Sequence, residues 1–81
     1  MRYNEYMISI RRLVWDSWNV AHIARHHVTP GEVEEVCHGK YIARQTYDDC
    51  LLLIEPTLSG RILVVVLGPT EKAGVYFPVT A

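Results

Sequence analysis

His22, His26 and His27 are three of the chain's four histidines, and they lie within one six-residue stretch that also holds Arg25. Imidazole exchanges a proton near neutral pH, and a guanidinium binds two phosphate oxygens at once. That pairing suits acid–base work on a phosphodiester. Metal-independent RNA cleavage needs a base for the 2′-hydroxyl proton, an acid for the leaving oxygen, and cations for charge developing on phosphate. His26 is the candidate proton-transfer group, with Arg25 and Arg44 as its catalytic phosphate contacts. Arg61 and His22 are candidate RNA contacts, and Tyr41, Tyr47 and Tyr76 are candidate surfaces for stacking unpaired bases. Each has a plainer role beside this one. A cationic His26 at a helix C-terminus is itself favoured by about 0.3–1 kcal/mol, and Arg44 and Arg61 also read as solvated strand or turn residues.

Other constellations are weaker. His22 and His26 are four apart on one helical face, a spacing that can hold zinc, and Cys37–His38 is the nearest completion of such a site. An H-x-x-x-H pair without its partner glutamate is unspecific, so the reading takes no metal and no cofactor. His27 falls on the apolar side and reads as a hydrogen-bonded core residue. Cys37 and Cys50 fall on apolar stripes and read as small core fillers. The pairs Glu34–Glu35 and Asp48–Asp49 read as solvated surface, since adjacent side chains on a strand or turn point apart.

Two short helices must position the histidines. Asp16 stands where an N-cap belongs, and residues 17–27 read as a helix. Its inward side is Val20, Ile23, Ala24 and His27; His22, Arg25 and His26 face outward. Trp18 begins on the polar side and is expected to pack on a strand or lie partly exposed. The second helix is punctuated more fully. Thr29 and Glu32 form a capping box, Pro30 takes the first helical position, and Val28 and Val33 are placed as a hydrophobic staple. Val33, Val36 and Cys37 form its buried stripe, with Gly39 as its stop.

The rest of the chain is extended. Residues 8–15 read as a first strand, although Arg11 and Arg12 interrupt its alternation. Residues 41–47 and 50–55 flank an Asp48–Asp49 turn, and residues 62–67 are uniformly apolar, as in a central strand covered on both faces. Residues 75–80 give a last strand, which Pro78 restricts to an edge or a bulge. The fold class is therefore α+β. A β-α-α segment is followed by a four-stranded antiparallel meander, with the helices packed on one face.

At 81 residues the chain is a single domain, 1–81. No apolar run reaches the ~20 residues of a membrane helix, and the N-terminus lacks the pattern of a secretory signal. Two cysteines outside a C-x-x-C pair fit reduced thiols, so a cytoplasmic location is expected. The net charge of −1 excludes a globally basic nucleic-acid binder. It leaves room for a local basic surface, because Arg2, Arg11, Arg12 and Arg25 precede the cluster Glu32, Glu34 and Glu35.

These residues resemble the BrnT-type toxins of type II toxin–antitoxin systems, which share the RelE-like fold. Trp15–Asp16 matches the family's aromatic-acid start, and Arg25–His26 its basic residue and histidine at the helix end. Val28–Thr29 matches the opening of its second helix, Arg44 the arginine of the following strand, and residues 62–67 its Val-rich strand. The likeness spans roughly residues 14–80. There are departures: His27 stands where the family has glycine, and Pro30–Gly31 replaces an aromatic and an acid. Gly74 stands where the last strand has arginine, and no basic segment follows Thr80 and Ala81. The resemblance implies a ribonuclease toxin with RNA as substrate and a cognate antitoxin protein as partner. The competing expectation is a non-catalytic interaction module on the same scaffold, binding an antitoxin or forming a homodimer through the edge at residues 75–80.

Overall fold

A computed structural model describes residues 5–45 and 49–81. Its elements are β1 (Glu5–Ile10), β2 (Arg12–Leu13), α1 (Ser17–Ala24), α2 (Pro30–Cys37), β3 (Gly39–Gln45), β4 (Leu51–Pro56), β5 (Ile62–Pro69) and β6 (Val75–Thr80). The class is α+β, with two helices against one curled sheet. The strand order is β1-β3-β4-β5-β6-β2. All pairings are antiparallel except β2 with β6, which is parallel, so the sheet is mixed.

The sequence predicts one strand over residues 8–15; the structure splits it into two that occupy opposite edges of the sheet. Only Arg11 separates them, and one residue spans at most ~3.6 Å. The two edges must therefore meet at Arg11, which curls the sheet. Backbone bonds secure the meeting point: Arg11 N–H and Arg12 N–H donate to the Gly74 carbonyl at 2.8 and 3.2 Å, and Val14 N–H donates to that of Tyr76 at 2.8 Å. Gly74 permits the approach. Its φ is +80°, and a β-carbon there would meet the Arg11 side chain at 2.7 Å.

Each helix has only eight residues, too short to persist alone in water. Caps and packing hold both. Asp16 accepts from Asn19 N–H at 2.9 Å while the Asn19 side chain accepts from Asp16 N–H at 2.9 Å. Thr29 and Glu32 make the expected reciprocal box on α2, with Pro30 in its first turn. Val28 and Val33, the expected staple, are both buried. No αL glycine stops α2. His38 is already extended, and the chain runs directly into β3 at Gly39.

The core lies between the helices and one sheet face. Ile23, Val28, Val33, Val36 and Cys37 meet Leu51, Leu53, Leu63, Val65 and Leu67, with Ile10 and Leu13 from the curled edge. Each such burial contributes about 1.5–3 kcal/mol. Burial, then the carboxylates of Glu34 and Glu55, push the Cys37 thiol up to about 12. It stays protonated at neutral pH and serves as packing, as expected.

Strand β5 departs from expectation. Leu63, Val65 and Leu67 are buried, but Ile62 and Val64 are exposed, so only one face is covered. The last strand obeys its proline. Val66 faces Thr80 and Leu67 faces Pro78, leaving Val79 as a bulge, and Pro78 lies beyond the two β6 residues that β2 covers. No helix among the described residues is long and apolar enough to cross a membrane.

Candidate functional site

The candidate site is the outward side of α1 and the turn that follows it. Asn19 and Ile23 form the inward line of the helix, both fully buried. The amide of Asn19 donates to the Val14 carbonyl at 3.0 Å as well as closing the cap. That takes the inward position expected of Val20 and Ala24, which are exposed. The start of the helix is tied to α2 through Trp15, whose indole N–H donates to Glu34 at 2.8 Å.

Trp18, His22 and His26 follow at one-turn spacing and form a ladder of rings. His22 stacks on Trp18 with centroids 5.1 Å apart and planes 10° from parallel. His26 meets the edge of His22 at 6.0 Å, and Phe77 of β6 supports Trp18 at 6.4 Å. Trp18 is nevertheless 56% exposed, so the ladder stands at the surface. Arg25 and His26 are both exposed in the turn after α1, neighbours on the solvent side.

That turn is a Schellman motif. Val28 N–H donates to the Ile23 carbonyl at 3.2 Å and His27 N–H to that of Ala24 at 3.0 Å, with Val28 and Ile23 both buried. His27 occupies the left-handed position at φ 59° and is exposed. This corrects its reading as a core residue: the helix closes before reaching it. Left-handed backbone costs a β-carbon-bearing residue roughly 1–2 kcal/mol, against which glycine loses about 0.5–1 kcal/mol of chain entropy. His27→Gly should therefore stabilise the protein by about 0.5–1 kcal/mol, raising the melting temperature by several degrees. An unchanged or lower midpoint in a thermal scan would show that the His27 side chain contributes something the turn geometry does not reveal.

Arg61 secures the same turn from below. Its guanidinium donates to the His27 carbonyl at 2.6 Å, the His26 carbonyl at 3.0 Å and the Glu32 carboxylate at 3.2 Å. It positions the residues beside it through their backbone, and its charge completes the end of α1 where carbonyls gather. Glu35 performs a related task, accepting from the Leu58 N–H in the β4–β5 turn. Glu34 and Glu35, expected as solvated surface, thus hold neighbouring segments.

The other expected site residues are spread out. His22 belongs to the ladder. Tyr76 is partly buried against the core and sits opposite Leu13 and Pro69, rather than standing clear as a stacking surface. Arg44 occupies β3 in register with Glu5 and Leu52, separated by β4 and β5 from β6, the strand on which α1 packs. Tyr47 and part of the Asp48–Asp49 turn lie outside the described residues, while Asp49 itself is left-handed at φ 60°. Among the described residues no three His, Cys, Asp or Glu side chains converge as metal ligands. Cys37 is buried whereas His38 is exposed, so those neighbours face apart.

Sequence reasoning leaves three contributors out. The Trp18–His22–His26 spacing was available as an i, i+4, i+8 series; Phe77 was not, because its place depends on how β6 meets α1. Asn19 carries the only local clue to its role, its position three residues after a capping aspartate. No protein-family model, curated protein or solved structure matches the chain.

Proposed function

We propose that this protein is an endoribonuclease of the BrnT type, a toxin of RelE-like fold that acts in the cytoplasm and is neutralised by a cognate antitoxin protein. One observation supports the reading: His26 and Arg25 are both exposed in the turn after α1, and Arg61 ties the backbone of that turn through the His26 and His27 carbonyls. The left-handed backbone at His27 adds to it, since that is where the family resembled here has glycine.

In this reading His26 accepts the proton of a ribose 2′-hydroxyl. The 2′-oxygen bonds to phosphorus, and the bond to the 5′-oxygen breaks. Arg25 pairs with the non-bridging oxygens as charge builds on them. His22, its ring 6.0 Å from that of His26, returns a proton to the leaving oxygen. The products are a 2′,3′-cyclic phosphate and a 5′-hydroxyl. Arg44 is given no catalytic step, because β3 lies away from the strand under α1.

The test is incubation of purified protein with messenger and structured RNA in the presence of a chelator, reading the chemistry of the new ends. Cyclic-phosphate termini are the expected result. Intact RNA at high protein concentration would sink the proposal. A second reading, a non-catalytic interaction module, is favoured by the net charge of −1 and the exposed aliphatic side chains of β4 and β5. Salt separates the two, since binding to phosphates weakens steeply as salt rises.

A further inference from the structure

His22 and His26 are placed to act together on a ligand that neither ring would hold alone. Four residues along a helical path rise about 6 Å, and the two rings stand 6.0 Å apart between centroids, with planes at 61°. Trp18 lies flat against His22, 5.1 Å away and 10° from parallel. A flat stack fixes the plane of the imidazole and covers one face, not the rim that carries the nitrogens. His22 is half-buried and His26 exposed, so both rings reach solvent. Among the described residues no hydrogen bond or ion pair engages either imidazole. A neutral imidazole keeps one nitrogen lone pair, and nothing in the described fold takes up these two.

We propose that the pair is a site for a divalent transition-metal ion of the zinc class, with His22 and His26 as two ligands and water as the rest. The ligands select the ion: imidazole suits zinc, copper and nickel, whereas calcium and magnesium demand oxygen. The separation agrees. Zinc–imidazole bonds are about 2.0–2.1 Å and a ring nitrogen lies about 1.2 Å from its centroid, so two rings on one tetrahedral ion have centroids roughly 5 Å apart. Closing from 6.0 Å takes a small side-chain rotation and no movement of the helix. Of the nearby cations, Arg61 is paired with Glu32 at 3.2 Å. Arg25 opposes binding, but its charge is exposed and screened by salt. Such a site is open, unlike the clusters of three or more ligands that are absent among the described residues. It holds its ion more weakly than a closed structural site does. The ion takes the lone pairs that the proposed proton transfers use, so bound zinc would stop cleavage. That consequence rests on the nuclease reading; the binding does not.

The experiment is a calorimetric titration of the whole chain with zinc, without RNA, repeated on His22→Ala, His26→Ala and His27→Ala. The parent should take one ion per chain. Removing either member of the pair turns a chelate into a lone imidazole, so affinity should fall about tenfold or more. His27→Ala should keep the parent's affinity, since that ring is exposed at the left-handed position and stands outside the ladder. If an alanine variant fails to fold, His22→Gln and His26→Gln keep a polar side chain there and should lose affinity alike. Nickel gives a second reading: it should quench tryptophan fluorescence more in the parent than in His22→Ala, because Trp18 lies against a ligand. A parent that takes up no zinc at millimolar concentration overturns the proposal. Zinc binding that the pair variants leave unchanged, or that His27→Ala weakens as much, overturns it equally by placing the ion elsewhere.

Discussion

His26→Ala should lower RNA cleavage by about 100- to 10,000-fold while leaving the fold intact. The range follows from what a positioned proton-transfer group contributes. The intact fold follows from exposure: His26 lies outside the core, and its ring meets the edge of His22 at the surface. Loss of that contact costs at most about 0.5–1.5 kcal/mol. Arg25→Ala should act differently, weakening RNA binding as well as rate, with a shallower salt dependence because one phosphate contact is gone. Arg25→Lys should restore part of the binding and less of the rate, since an ammonium lacks the two-pronged geometry. Equal cleavage by His26→Ala and the parent, measured under single-turnover conditions, would remove His26 from the chemistry. The ladder would then be a structural ornament of α1, and the interaction-module reading would take precedence.

The parts of this molecule that were legible in its residues are those decided by neighbours in the chain. The α2 capping box, Pro30 and the Val28–Val33 staple involve residues five or fewer apart, and all are found as expected. Asp16 capped α1 for the same reason. Pro78 announced an irregularity because a missing N–H constrains any ladder. What depends on distant pairing was illegible. Arg11 and Arg12 marked a break in the first strand, but not that its halves would close opposite edges through Gly74. Strand β5 looked covered on both faces because aliphatic residues occupy both of its lines; only the position of the helices shows which line is bare. The place of His27 turns on where α1 ends, which is one turn earlier than the apolar spacing suggests. Extending the helix through residue 27 puts that side chain on the inner line, whereas the Schellman closure turns it outward. Arg61 shows the same limit at the candidate site. Its type suggested phosphate, but the β4–β5 turn delivers it to the carbonyls of His26 and His27.

The largest stability effect is expected at Asn19, a residue with no part in the chemistry. Its side chain is fully buried, and both of its polar ends are used: the oxygen accepts from Asp16 N–H, the nitrogen donates to the Val14 carbonyl. Asn19→Ala strips two backbone groups of their partners at the point where the chain leaves β2 for α1. An unsatisfied buried group costs about 1–3 kcal/mol, so a loss of about 2–4 kcal/mol is expected once partial rehydration is allowed for. A chain of this length has roughly 4–12 kcal/mol in all, and each kcal/mol moves the melting temperature by about 4–8 °C. Urea unfolding should show the midpoint falling with its slope unchanged, which marks a change in stability rather than in mechanism. Asn19→Asp sharpens the argument. It keeps the acceptor for Asp16 N–H but sets an oxygen against the Val14 carbonyl, where only a protonated carboxyl can donate. That raises the native carboxyl above its unfolded value, so stability relative to the parent should recover in acid and fall as pH rises. A midpoint for Asn19→Ala within about 0.5 kcal/mol of the parent would mean that water replaces both bonds, and that α1 is held to the sheet by Ile23 and the aromatic contacts alone.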